Sequence, residues 1–175
     1  MNKANLENLP SVLSFITVTA KDTGLDTFEQ MSDVITDGSF AIRRDCLKGM
    51  VKLPSFLLQA LNKQVDSGTG VKIDSLVHDP KNLIAIEPIN AIKAAHTTFK
   101  SKPSPVIEFK KVEPVEGDIP TKVNARYLKL VWEIFPGLNW YANFKTDRDG
   151  VSRASILVLK DNSGIVAALA PIWTK

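Results

Sequence analysis

The side chains of this chain that could do catalysis or bind a metal are few and far apart in the sequence. His78 and His96 are its two histidines, and Cys46 is its single cysteine. His78 lies in a predicted turn, whereas His96 stands among alanines and threonines, and nothing in the sequence pairs either of them with the cysteine. This spacing matches none of the ligand patterns of a zinc site. We therefore predict no metal site.

The remaining candidates for chemistry are one thiol and one carboxylate pair. Cys46 lies near Arg44 and Lys48, whose charges predict a lowered thiol pKa, but no base accompanies it. Asp147 and Asp149 fall in a stretch where aspartate is favoured for turn formation. The chain has no phosphate-binding loop, dinucleotide-binding motif or Gly-x-Ser-x-Gly motif. The sequence predicts a protein that is not an enzyme, with no catalytic residue and no cofactor.

The composition is that of an ordinary globular protein. Of its 175 residues, 44% are hydrophobic and 23% are charged, and this length is sufficient to bury a core. No apolar run approaches the roughly 20 residues of a membrane span, and no signal peptide is expected at the N-terminus. A lone cysteine suits a reducing compartment. We expect a cytoplasmic protein that does not enter a membrane.

The charge is distributed unevenly along the chain. Residues 1–40 carry two lysines and six carboxylates, a net charge of −4, so the remaining 135 residues carry +7. Basic residues gather between Arg43 and Lys52 and again between Lys93 and Lys111. A basic body with an acidic leader is compatible with phosphate contacts, although a normally solvated surface explains the same pattern.

The last fifty residues show the clearest secondary structure signal. Leu128, Val131, Trp132 and Phe135 have helical spacing within the segment Lys122–Phe135. Three predicted strands follow it, with turn residues at Asp149-Gly150 and at 161–164, and these strands are Trp140–Thr146, Arg153–Leu159 and Gly164–Trp173. This pattern predicts a strand, a helix and three strands over residues 119–175.

A similar order of elements is predicted earlier in the chain. Residues 38–112 favour a strand, a helix from Pro54 to about Val65, and then several strands that begin at Val71–Val77. Residues 1–37 form a separate acidic leader, with a strand over Ser11–Thr19 and a short helix over Leu25–Ile35. We predict an α+β fold of antiparallel sheets with two amphipathic helices on one face, in which residues 38–175 form a domain of two halves, 38–112 and 119–175.

This arrangement resembles a DNA sliding clamp of the bacterial type over residues 38–173. Val106–Phe135 looks like the crossover between the halves of a clamp domain, in which a strand, an acidic or aromatic stretch and a proline precede a short strand and a helix with paired leucines. Ser155–Pro171 is similar to the closing hairpin of such domains, and Val71–Ala95 is loosely similar to the strand–turn–strand of the preceding half. The resemblance implies duplicated βαβββ half-domains.

The resemblance also implies a function without chemistry. It implies a processivity or replication accessory factor of a phage or mobile element, which holds DNA inside a ring of about six copies and meets replication proteins through an apolar groove. The ring would close through edge strands, for which residues 106–112 and 164–173 are the candidates. Four basic residues on or near the helices would contact the DNA backbone, namely Lys63, Lys122, Arg126 and Lys129.

Two alternative functions remain open from the residues alone. Strand alternation places Tyr141 on the face opposite Trp140 and Phe144, near Arg148 and Arg153, where it could stack on bases of a single-stranded nucleic acid. The chain could also be a small oligomeric protein-interaction module whose acidic leader docks on a partner.

Overall fold

A computed structural model of the chain describes residues 9–14, 16–25, 33–62, 72–96 and 103–172. The described helices are α1 (Leu9–Leu13), α2 (Ala20–Thr23), α3 (Arg44–Leu47), α4 (Ser55–Asn62) and α5 (Ala125–Ile134), with a 3₁₀ helix at Ile73–Leu76. The described strands are β1 (Val34–Thr36), β2 (Phe40–Arg43), β3 (Ile84–His96), β4 (Pro103–Lys111), β5 (Thr121–Asn124), β6 (Asn139–Thr146), β7 (Ser152–Asp161) and β8 (Gly164–Leu169). Within these residues, no helix is both long and apolar enough to cross a membrane.

Turn chemistry determines where β6 and β7 end and where β7 and β8 begin. Between β6 and β7, the Asp147 carboxylate accepts hydrogen bonds from the backbone N–H groups of Asp149, at 3.0 Å, and Val151, at 2.9 Å. Gly150 follows with a positive φ of 79°, which a residue with a Cβ rarely adopts. Between β7 and β8, Asp161 accepts from the Ser163 N–H at 2.7 Å. Both predicted hairpin turns are confirmed.

The described strands form one antiparallel sheet in the order β1-β2-β8-β7-β6-β3-β4-β5. The α+β class is therefore confirmed, with a single sheet of eight strands in place of several. The chain beyond β8 returns to the far end of this order, where the Ile172 N–H donates to the Lys122 carbonyl at 2.7 Å. The sheet must curve strongly to bring these two segments together.

The two strands predicted as edges lie inside the sheet. β4 lies between β3 and β5, and β8 lies between β2 and β7. The alternation of charge in β4 does not mark an edge, because its charged side chains are matched across both neighbouring strands. Lys110 forms an ion pair of 3.0 Å with Glu87 on β3, and Glu108 stands opposite Lys122 on β5. The assignment of residues 106–112 and 164–173 to edges is wrong.

Helices and sheet bury one large core on the inner face of the sheet. This inner core contains Leu57 from α4, Leu128 and Val131 from α5, and Trp140 and Leu157 from the sheet. Both amphipathic helices therefore pack on the same face, as predicted. A smaller cluster, the outer cluster, lies on the opposite face and consists of Val34, Ala41, Ile73, Val77, Val158, Ile165 and Ala168.

Two predicted strands contain helical turns and no β-strand where the structure describes them. The stretch Ser11–Thr19 was predicted as a strand, but its beginning belongs to α1, because Leu9 and Leu13 at i and i+4 both enter the inner core. The stretch Val71–Val77 contains the 3₁₀ helix, because Ile73 and Val77 both reach the outer cluster. Tertiary burial outweighs the β-branched content of both segments.

The leader shares the core with the rest of the chain. Leu9, Leu13, Ile16 and Leu25 are buried in the inner core, and β1 joins the sheet beside β2. The predicted helix over Leu25–Ile35 lies mostly in residues 26–32, outside the described residues, and its last positions belong to β1. The acidic leader is thus bound to the body through its apolar side chains.

Candidate functional site

The polar side of α5 carries two of the four basic residues predicted to contact DNA. Asn124 caps this helix, because its side-chain oxygen accepts from the Arg126 N–H at 2.9 Å. Leu128 and Val131 are fully buried in the inner core. Arg126 and Lys129, three positions apart, therefore lie together on the outward side of the helix.

Both of these basic residues already have an acidic partner. The Arg126 guanidinium lies 3.6 Å from the Asp22 carboxylate of the leader. Lys129 pairs with Glu133 one helical turn further on. A phosphate that approaches this side of α5 would meet two ion pairs, which lowers the positive potential that the sequence pattern predicts.

Lys122 lies on the other face of the sheet. Its neighbour Val123 is buried in the inner core, so strand alternation directs Lys122 outward, opposite Glu108 on β4. There it lines a cavity of about 210 Å³ together with Glu108 and Arg153. The structure therefore separates Lys122 from Arg126 and Lys129, and Lys63 lies outside the described residues.

Tyr141 lies on the outer face, as the alternation of β6 predicts. Its ring packs against the outer cluster, and the Lys160 ammonium lies 5.6 Å from the ring centroid. A cation over the ring occupies the kind of surface that a stacked base would need. Base stacking by Tyr141 stays a prediction, for which Lys160 would have to move.

The structure describes the side-chain surroundings of two candidates for catalysis, Cys46 and His78. The pKa of the Cys46 thiol is raised, because burial raises it more than the neighbouring Arg43 charge lowers it. The sequence predicted a lowered pKa, so the shift has the opposite direction. His78 is exposed in its turn. Within the described parts of the chain, no three His, Cys, Asp or Glu side chains are grouped in a way that could hold a metal ion.

One open groove was not foreseen from the sequence. Its cavity volume is about 430 Å³, and its apolar lining comes from Met50 after α3 and from Phe135 and Leu138 after α5. Arg43 and Asp161 are among its polar lining residues. The groove joins residues distant in sequence, so no local pattern could have indicated it.

Arg43 connects two of the chain segments that line this groove. Its guanidinium donates to the Asp45 carboxylate at 2.7 Å, to the Ser163 hydroxyl at 2.5 Å and to the Ile165 carbonyl at 3.2 Å. These contacts join the end of β2 to the turn before β8. Arg43 therefore has a structural role, which its place in a basic segment did not reveal.

A second residue missed by the sequence reasoning is Asp22. Thr19 and Asp22 form a capping box at α2, in which the Asp22 N–H donates to the Thr19 hydroxyl and the Asp22 carboxylate accepts from the Thr19 N–H at 3.2 Å. The Thr-x-x-Asp spacing is the signal that could have located it. The Tyr127 hydroxyl donates to the Asp22 carbonyl at 3.2 Å, and burial raises the pKa of Tyr127 to about 12, so this donor keeps its proton at neutral pH.

Comparison with known proteins identifies no relative: no family model matches the chain, and no curated protein or solved structure is significantly similar to it. Its function must be inferred from its own residues and topology.

Proposed function

We propose that this protein is a non-enzymatic, clamp-like accessory factor that holds DNA by encircling it, without reading its sequence. The observation that carries the proposal is an exchange of strands between the two halves. β2, the first strand of one half, pairs with β8, the last strand of the other. β5, the first strand of the second half, pairs with β4, the last strand of the first.

The helices follow the same pattern. α5 begins directly after β5, and α3 begins directly after β2 and is followed by α4. α4 and α5 both pack on the inner face of the curved sheet. The second half has the βαβββ order that the resemblance implies, whereas two strands, β3 and β4, follow the helices in the described part of the first half, because a 3₁₀ helix stands where a further strand is predicted. The exchanged terminal strands and the helices on one face support the proposal.

Ring closure in this proposal uses β1 and the part of β3 from Pro88 onward, each of which has one strand neighbour among the described residues. β1 stands at one end of the strand order, and β3 is paired with β6 only over Ile84–Ile86. From Pro88 onward, β4 is the strand that pairs with β3 within the described residues, and the other side of such a strand can pair with another copy of the chain. We therefore propose homo-oligomerisation through β1 and the distal part of β3.

The mechanism requires few contacts with DNA. A closed ring retains DNA by topology, and weak contacts from Arg126 and Lys129 to phosphates would permit sliding because they carry no base information. Replication proteins would bind through the groove lined by Met50, Phe135 and Leu138, which offers an apolar surface.

Mass in solution and retention on circular DNA test this function together. A single chain has a mass of 19.3 kDa, so a ring of about six copies would have a mass of about 116 kDa. The ring should be retained on a circular plasmid and released when a restriction enzyme linearises that same plasmid. A monomer or dimer that is retained equally on both DNA forms would contradict the proposal.

A second candidate function is a small oligomeric protein-interaction module, favoured by the apolar groove. In this case Leu138→Gln, which places an amide in the groove, should disrupt binding to a protein partner or to another copy. Leu76→Gln, at an exposed position of the 3₁₀ helix, is the matched control. A defined oligomer that is sensitive to Leu138→Gln but is not retained on circular DNA would favour this function over the clamp.

A further inference from the structure

The Asp22 carboxylate of the leader is held in a fixed position beside α5. One of its oxygens accepts from the Thr19 N–H, at 3.2 Å, and from the Thr19 hydroxyl, at 2.9 Å. Its other oxygen is the one that lies 3.6 Å from the Arg126 guanidinium. The capping box thus orients the carboxylate toward Arg126.

The backbone around Asp22 is anchored as well. Ile16 and Leu25 on either side of it are buried in the inner core, and the Tyr127 hydroxyl donates to the Asp22 carbonyl. Asp22 is therefore carried by a well-packed segment, and little ordering entropy is lost when its carboxylate contacts Arg126.

Arg126 remains accessible at this contact. Its side chain is 37% exposed and that of Asp22 is 25% exposed, so both charges border on solvent. A carboxylate and a phosphate present similar acceptor oxygens to a guanidinium. A phosphate that reaches Arg126 must displace this carboxylate or bind next to it against its negative charge.

We propose that Asp22 competes within the chain for Arg126, so that the leader weakens the contact of α5 with the DNA backbone. This inference rests on the proposed function, since it concerns the same DNA-facing side of α5. This competition lowers the affinity of α5 for the DNA backbone, and a low affinity permits sliding. The net charge of −4 over residues 1–40 acts in the same direction.

Asp22→Asn in the full-length chain tests the inference, with binding to a fluorescent DNA duplex measured by anisotropy at several salt concentrations. Asparagine keeps an oxygen for the capping box and removes the charge. We expect an affinity about two- to fivefold higher than that of the wild type, the range typical of an exposed ion pair. The slope of log K against log salt should steepen by about 0.9, since Arg126 gains a phosphate.

Asp74→Asn is the matched control. It removes the same charge at an exposed position of the 3₁₀ helix, whose Ile73 belongs to the outer cluster on the opposite face of the sheet. An equal gain in affinity from Asp74→Asn would overturn the inference, because only the net charge would then matter. In an Arg126→Gln background, the gain from Asp22→Asn should disappear, and its persistence would also overturn the inference.

The outcomes separate this inference from the proposed function. If the wild type is retained on circular DNA and Asp22→Asn changes neither affinity nor salt slope, the inference fails and the clamp function stands. If the wild type is not retained on circular DNA and no variant binds the duplex even at low salt, the proposed function fails and the inference falls with it. Unchanged urea midpoints of the variants show that the fold is intact in each comparison.

Discussion

The two halves of the molecule use similar elements but specify them in different ways. In the second half, Asn124 caps a single ten-residue helix, and β6, β7 and β8 follow one another as neighbours in the sheet. In the first half, the helical segment is divided into α3 and α4, and a 3₁₀ helix stands where a strand was predicted. The second half is therefore specified locally and the first half is not.

Local residues divide the first helical segment, and a contact with the second half supports its beginning. Arg43 occupies the N-cap position of α3, but its side chain does not cap that helix in the described structure and bonds to the turn before β8. Gly49, with a positive φ of 83°, and Pro54 then separate α3 from α4. Contacts with the second half therefore compensate for the weak local signals of the first.

The largest expected effect concerns the helix that supports the second half. Leu128 is fully buried, so Leu128→Ala should lower the free energy of unfolding by about 3 kcal/mol. Leu58→Ala in α4 removes the same atoms from a side chain that is 42% exposed, and should cost less than about 0.5 kcal/mol. Urea unfolding measures both, and equal losses would show that α4 and α5 are not packed as described.

Loss of the Arg43 contacts between the halves should have the next largest effect on stability. Arg43→Lys replaces a planar group that donates to Asp45, Ser163 and Ile165 with a single ammonium, and should cost about 1 kcal/mol. Arg148→Lys, at an exposed turn position, is the control and should be nearly neutral. A neutral Arg43→Lys would mean that the first half does not depend on this link.

The helix cap should have a similar or slightly smaller effect. Asn124→Ala leaves the Arg126 N–H without its acceptor and should cost about 1 kcal/mol, whereas Asn124→Ser retains an acceptor and should recover most of it. Asn62→Ala, at the exposed end of α4, provides the matched change in the first half and should have little effect. Equal losses from Asn124→Ala and Asn62→Ala would contradict the local specification of α5.

The smallest effect is on the pH dependence of stability, where two turn aspartates should act in opposite directions. The backbone N–H of Val151, followed by Arg153, lowers the pKa of Asp147 in the second half, so its stabilisation is lost as the pH falls through that lowered pKa. Burial raises the pKa of Asp37, which precedes β2, so the folded state takes up this proton at a higher pH than the unfolded state and gains stability on acidification.

Urea midpoints between about pH 3 and pH 7 measure this difference. Asp147→Asn should make the acid loss of stability shallower, and Asp37→Asn should make it steeper. A change of slope in the same direction for both variants would contradict the assignment. The slopes are compared, because each substitution also changes local hydrogen bonds at all pH values.

Much of the second half could be predicted because its signals are local. The spacing of Leu128, Val131 and Trp132 predicts α5, and Asp149-Gly150 predicts the β6–β7 turn, without knowledge of any distant residue. The predicted strands of the leader and of Val71–Val77 are wrong because β-branched residues favour a strand only when a sheet neighbour is present. In these two segments, Leu13 and Ile73 are buried while the backbone is helical.

The candidate site was predicted only in part. Arg126 and Lys129 do share the outward side of α5, since helical periodicity alone decides this. Only one of their two acidic partners could be predicted. Glu133 follows Lys129 by four positions, a spacing visible in the sequence, whereas Asp22 lies in the leader and contacts Arg126 only in the folded chain. The separation of Lys122 from these residues depends on which face of the sheet holds the inner core.

The sequence by itself determined the α+β class, the amphipathic helix α5 and the hairpins of the second half, because each depends on residues close together in the chain. Only the tertiary structure decided that β4 and β8 lie inside the sheet, that Arg43 joins two strands and that the Asp22 carboxylate forms an ion pair with Arg126. The physical reason is that strand neighbours and ion pairs between distant residues are selected by the burial of a shared core. Such selection leaves no periodic pattern in either segment alone.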